Sequence, residues 1–124
     1  MGEVKSYRDL IVWQKSMDLA EFAYQLAKLV PRTEEYRLTG QFLRAAVSVP
    51  SNIAEGHMRG TRKDYAHFIA MSRGSLAEHE TLLLIALRTK LLEEEKARTA
   101  LTSAAEVGRM LNALYDRLGS PPKT

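Results

Sequence analysis

Apolar side chains recur at three- and four-residue intervals in four blocks, and nowhere do they alternate with the two-residue period of a strand. The pattern predicts an all-α fold. The first block, about 10–30, carries two stripes: Trp13, Met17, Ala20, Tyr24 and Ala27 on one, and Val12, Leu19, Phe22, Leu26 and Leu29 on the other. Pro31 stops it, because a proline drives the residue before it out of the helical region. The second block, about 35–56, places Leu38, Phe42, Ala45, Val49 and Ile53 on one face, with Gly56 as its C-terminal cap. The third, about 62–90, starts from Thr61 as N-cap with Asp64 three residues on. Tyr65, Phe68, Ile69, Ser72, Leu76, Leu83 and Leu87 form its inner face. The fourth, about 93–118, opens on three glutamates at the positive end of the helix dipole and turns Leu101, Ala104, Val107, Leu111, Leu114 and Leu118 inward. A loose tail, 119–124, follows.

Three short connections between four helices predict an antiparallel up-down-up-down four-helix bundle forming one domain, 1–124. Pro50 falls inside the second helix, where it lacks the amide that would bond to Ala46 and crowds the preceding turn, so a kink is expected. Ser48, Ser51 and Asn52 stand beside it, able to satisfy the disturbed backbone. Arg44 and Glu55 lie eleven residues apart, close to three turns, and so share a face. With Glu78, Glu80 or Arg73 of a neighbouring helix or subunit they predict a polar network that sets register. An anion or nucleotide pocket is the alternative for the same residues. Two apolar stripes on helix 1, and a run from Leu82 to Leu87 that is apolar on every side, exceed what a single bundle core covers and predict self-association. Against this, alanines such as Ala20, Ala23 and Ala27 tolerate exposure.

Composition narrows the function classes. The 124 residues are 45% hydrophobic and 27% charged, which suits one globular domain. Cysteine is absent, excluding disulfides and thiolate chemistry and suiting a reducing compartment, so a cytoplasmic protein is expected. No apolar run approaches the roughly 20 residues of a membrane span. Metal-binding bundles use Glu-x-x-His motifs on two helices, and only Asp64-Tyr65-Ala66-His67 approximates one, once. His57 lies in a connection, and His79 has no carboxylate three residues before it. Glu78 and Glu80 diverge around their helix and form no acid–base pair. Gly56-His57-Met58-Arg59-Gly60 lacks both the strand and the Gly-Lys-Ser/Thr ending of a phosphate loop. The expectation is therefore no catalytic residue, no metal, no cofactor and no enzyme.

Three segments carry a family resemblance: Tyr7-Arg8-Asp9-Leu10-Ile11-Val12-Trp13-Gln14-Lys15, the stretch from Arg44 to Gly56, and Arg73-Gly74-Ser75-Leu76-Ala77-Glu78-His79-Glu80-Thr81. On these the chain resembles, over nearly its whole length, the four-helix-bundle family that includes proteins encoded in intervening sequences of large-subunit ribosomal RNA genes. Accessory proteins of diversity-generating retroelements are similar at greater distance. The resemblance implies a homo-oligomer, a pentameric ring of bundles, and in the retroelement branch a basic surface for nucleic acid and a reverse transcriptase. His79 departs from the family pattern, which has an aliphatic residue there, and is expected to wet one local contact.

Charge joins these readings. Arg59, Arg62 and Lys63 fall within five residues of the second connection, and the chain carries a net +3 with a pI of 9.3. A solvated turn accounts for that cluster in a monomer. In a pentamer five copies at +3 give +15, and five such loops on one rim make a cationic ring that holds nucleic acid by its phosphates. Arg37 and Arg73 are weaker additions, since either can form an intramolecular ion pair. The expected partners are the chain itself, RNA or DNA with structured RNA first, and a nucleic-acid-processing protein. The alternative is a protein-interaction scaffold with an incidental basic pI.

Overall fold

The computed structural model describes residues 3–119. The tail beyond Gly119 expected from the sequence lies outside them. Four α-helices, α1 (Ile11–Ala27), α2 (Gly40–Met58), α3 (Arg62–Arg88) and α4 (Glu94–Gly119), surround one apolar core, and no strand occurs among the described residues. Leu26, Ile53, Ile69, Leu83 and Leu111 sit at its centre. Each inner face anticipated from the periodicity supplies part of it, and on α1 the stripe of Val12, Leu19 and Leu26 is the buried one.

The helix ends show where local chemistry and packing diverge. A 3-10 turn, Tyr7–Asp9, itself opened by a capping box at Ser6, leads into α1. The Ser6 hydroxyl accepts from the Arg8 amide, while the Asp9 carboxylate accepts from the Lys5 and Ser6 amides, holding that carboxyl below its usual range. α1 stops at Ala27, and the amides of Leu29 and Val30 bond three residues back before Pro31. A π-helical turn, Glu35–Thr39, precedes α2, closed by the Gly40 amide donating to the Glu35 carbonyl. A Cβ on Gly40 would lie 3.0 Å from that oxygen.

α2 runs unbroken through Pro50. Around it Ser51 Oγ donates to the Val47 carbonyl (2.9 Å), Asn52 Nδ2 to the Ser48 carbonyl (2.8 Å), and buried Ser72 Oγ of α3 to the Val49 carbonyl (2.9 Å). Gly56 is not the cap expected of it. It is a buried residue inside α2, where an added Cβ would meet Phe68 Cβ at 2.8 Å and Tyr65 Cδ1 at 3.1 Å, so its role is to let α3 come close. The left-handed residue of the connection is Gly60, φ 89°. Thr61 then caps α3, its hydroxyl accepting from the Asp64 amide at 3.2 Å.

α3 ends in a Schellman motif. The Leu91 amide donates to the Ala86 carbonyl (2.8 Å) and the Lys90 amide to the Leu87 carbonyl (3.1 Å). Its left-handed position is filled by Lys90, φ 63°, where a Cβ is strained. Lys90→Gly is expected to stabilise the protein by about 1 kcal/mol, read as a raised midpoint in thermal unfolding, whereas Lys90→Val should lower it.

Candidate nucleic-acid interface

The second connection brings together the three cations singled out in the sequence. Arg59 closes α2, and Arg62 and Lys63 open α3, all exposed. Arg59 reaches Glu55 Oε1 at 3.4 Å and lies over the Phe68 ring, its guanidinium carbon 4.8 Å from the centroid. Arg62 donates to the Arg117 carbonyl near the end of α4, which draws Arg117 and Asp116 to the same end of the bundle. This end of the bundle thus carries four cations, Arg59, Arg62, Lys63 and Arg117, together with three carboxylates, Glu55, Asp64 and Asp116, and Lys63 is exposed. Tyr65 is half-buried behind the cluster. Desolvation raises its hydroxyl's proton affinity, with the charge of Arg117 pulling the other way. Arg117 escaped the sequence reading because a residue 54 positions after Lys63 shows no local signal of belonging to its loop.

The weaker candidates lie elsewhere. Arg37 belongs to the π turn before α2, a 19-residue helix and so about 28 Å from the connection, and pairs with Glu34 at 3.0 Å. Arg73 Nε donates to Asn112 Oδ1 at 2.9 Å, and its guanidinium covers the Tyr115 ring at 4.5 Å, which ties α3 to α4.

The residues expected to form a polar network are dispersed within one copy. Glu55 bonds Arg59, and Ser51 and Asn52 bond carbonyls of their own helix. Ser48 contributes its backbone oxygen. Arg44, Glu78 and Glu80 enter no ion pair among the described residues, and partial burial raises the proton affinity of Glu80. No group of three or more histidine and carboxylate side chains able to hold a metal occurs among the described residues.

His79 is the largest departure from expectation. Instead of a wetted margin it occupies the core, 2% exposed and stacked on Phe42 with ring centroids 4.5 Å apart. Its Nδ1 has no hydrogen-bond partner. Burial pulls the imidazole's proton affinity down to about 4, opposed by a hydrogen bond with the Phe42 backbone.

A second surface was only half visible in the sequence. The other α1 stripe is only partly covered: Ala20 is buried and Trp13 packs against the core, but Trp13, Met17 and Tyr24 also line an open groove of about 520 Å³ against Val47, Pro50 and Ala54 of α2. Among the described residues no helix is long and apolar enough to cross a membrane.

A family model described as 23S rRNA-intervening sequence protein matches residues 8–113. A crystal structure from Bacteroides thetaiotaomicron VPI-5482, of a protein with unknown function from the S23 ribosomal protein family, is similar in fold. It superposes with a TM-score of 0.79 at 24% identity, covering 85% of this chain and 98% of that one. No curated protein matches the chain.

Proposed function

This chain belongs to the 23S rRNA-intervening sequence protein family, and from that premise we propose that it is a non-enzymatic homo-oligomer, a pentameric ring, that binds structured RNA through a basic rim. The observation that carries this reading is the convergence of Arg59, Arg62, Lys63 and Arg117 at one end of the molecule, built from a connection and the end of a distant helix. Helix direction supports a rim of that kind. Phe42 meets His79, Val49 meets Ser72, and Gly56 meets Tyr65 and Phe68, so α2 and α3 run in opposing order. Arg62 with Arg117 and Arg73 with Asn112 do the same for α3 and α4. An up-down-up-down course puts the α2–α3 connection beside the start of α1 and the end of α4, and symmetry repeats that pole around the ring. Pro50 supplies a bend in α2 that suits it to a curved assembly.

Contacts of this kind are to phosphates, with little sequence preference and a steep salt dependence. Fluorescence anisotropy with a structured RNA and a matched duplex DNA across a salt series is the test. The triple variant Arg59→Glu, Arg62→Glu, Lys63→Glu is expected to abolish binding at physiological salt, and the wild-type salt slope to be about −0.9 for each duplex phosphate contacted. Absence of wild-type binding even at low salt overturns the reading.

A protein-interaction scaffold is the second reading. It is favoured by the intramolecular engagement of two arginines in the cluster, Arg59 with Glu55 and Phe68, and Arg62 with the Arg117 carbonyl. Partner binding that survives the triple charge reversal would support it.

A further inference from the structure

Two exposed apolar surfaces lie on different helices of the bundle. The first is the α1–α2 groove, whose wall residues Met17, Tyr24 and Val47 are exposed. The second is the outward line of α3, where Met71, Gly74, Glu78, Thr81 and Ile85 follow one another at helical spacing, all exposed. The opposite side of the same helix, Ile69, Ser72, Leu76 and Leu83, is core.

Gly74 has no explanation within one copy. A Cβ there would meet nothing within 4 Å, yet a glycine weakens a helix interior relative to alanine. Its effect is to leave bare backbone in the middle of the line, where another helix can approach closely. Each surface also has an unpaired charge of opposite sign at hand, Arg44 beside the groove and Glu78 on the α3 line, although the groove wall itself includes the carboxylate of Glu21. Arg44 projects from α2 three residues before groove residue Val47, and Glu78 stands in the middle of the α3 line. Both are exposed, and neither has an ion pair or side-chain hydrogen bond among the described residues.

We propose that the outward line of α3 in one copy seats in the α1–α2 groove of the next, with Glu78 reaching the neighbouring Arg44. The inference rests on the ring reading above and specifies its interface. Because the two surfaces differ, the contact is head-to-tail, the kind that generates a closed ring when its rotation closes. It removes Met17, Tyr24, Val47, Met71 and Ile85 from water together, and it gives Arg44 and Glu78 the cross-helix partners they lack within one copy.

Size-exclusion light scattering at micromolar concentration tests it, with circular dichroism to verify folding of each variant. The wild type is expected to be oligomeric. Val47→Glu, Ile85→Glu, Arg44→Glu and Glu78→Arg are each expected to drop to the 14.0 kDa monomer mass while remaining folded, since every substituted position is exposed. The double variant Arg44→Glu, Glu78→Arg should regain the wild-type mass. Mixing Val47→Glu with Ile85→Glu should yield a dimer and nothing larger, because one intact groove and one intact α3 line remain between them. An oligomeric wild type that Val47→Glu disrupts but Ile85→Glu and Glu78→Arg leave intact overturns the pairing and keeps the ring. A wild type that is itself monomeric overturns both, and leaves the groove to a partner of different sequence.

Discussion

Acidification from neutral pH to about pH 4 is expected to cost the fold roughly 3 kcal/mol through one side chain, His79. In the unfolded chain this imidazole takes up its proton near the ordinary 6.5, but in the core only near about 4, because burial against Phe42 penalises the charged form. The unfolded state therefore binds more protons throughout that window. Stability is full above 6.5, declines as pH falls towards 4, and levels off below, where both states are protonated. Glu80 opposes the effect in part. Its carboxyl is pushed above its ordinary value by desolvation, so its contribution is present at low pH and is lost as pH rises through the raised value. Urea unfolding at several pH values, on the wild type and on His79→Leu, separates the two. The leucine variant should lose most of the decline while being at least as stable at neutral pH, since it removes a buried Nδ1 with no partner and supplies the kind of side chain the family resemblance expects there. An unchanged decline in the variant would assign the acid sensitivity to other groups.

Gly56→Ala is expected to destabilise the protein by about 1–3 kcal/mol even though alanine is the better helix former. The added carbon would sit 2.8 Å from Phe68 Cβ, 3.1 Å from Tyr65 Cδ1 and 3.3 Å from the Tyr65 carbonyl oxygen. Two of these atoms are fixed to the α3 backbone or belong to it, so the clash cannot be relieved by turning the end of a flexible side chain. α2 and α3 must separate instead, loosening the Ser72–Val49 hydrogen bond and the Phe42–His79 stack that lie along the same contact. Gly56→Leu should prevent stable packing of the pair altogether. Chemical unfolding measures both. An alanine variant as stable as wild type would mean that the two helices have room to give, and the close-approach role assigned to Gly56 would not stand.

Gly56 also shows where sequence reasoning reaches its limit. A glycine at the end of a periodic block has the signature of a C-terminal cap, and only the partner helix reveals that, two residues before the end of α2, the lack of a side chain is what lets α3 come close. His79 was expected to wet one local contact where the family resemblance has an aliphatic residue, but a helix face is decided by phase, and position 79 falls in phase with Ser72, Leu76 and Leu83, all core residues. The basic loop was half legible. Arg59, Arg62 and Lys63 are neighbours along the chain, whereas Arg117 joins them through a hydrogen bond spanning 55 residues.

By itself the sequence determined the helical class, the four blocks, Thr61 as a cap, and most of the core, because period, capping chemistry and apolar phase are local properties that act within a few turns. Only the tertiary structure decided which α1 stripe is buried, that Trp13, Met17 and Tyr24 form a groove with α2, that His79 is enclosed, and which charges meet. Those outcomes depend on distances between helices far apart in the chain, set by the joint packing of all four around one core, and no spacing along a single helix encodes them.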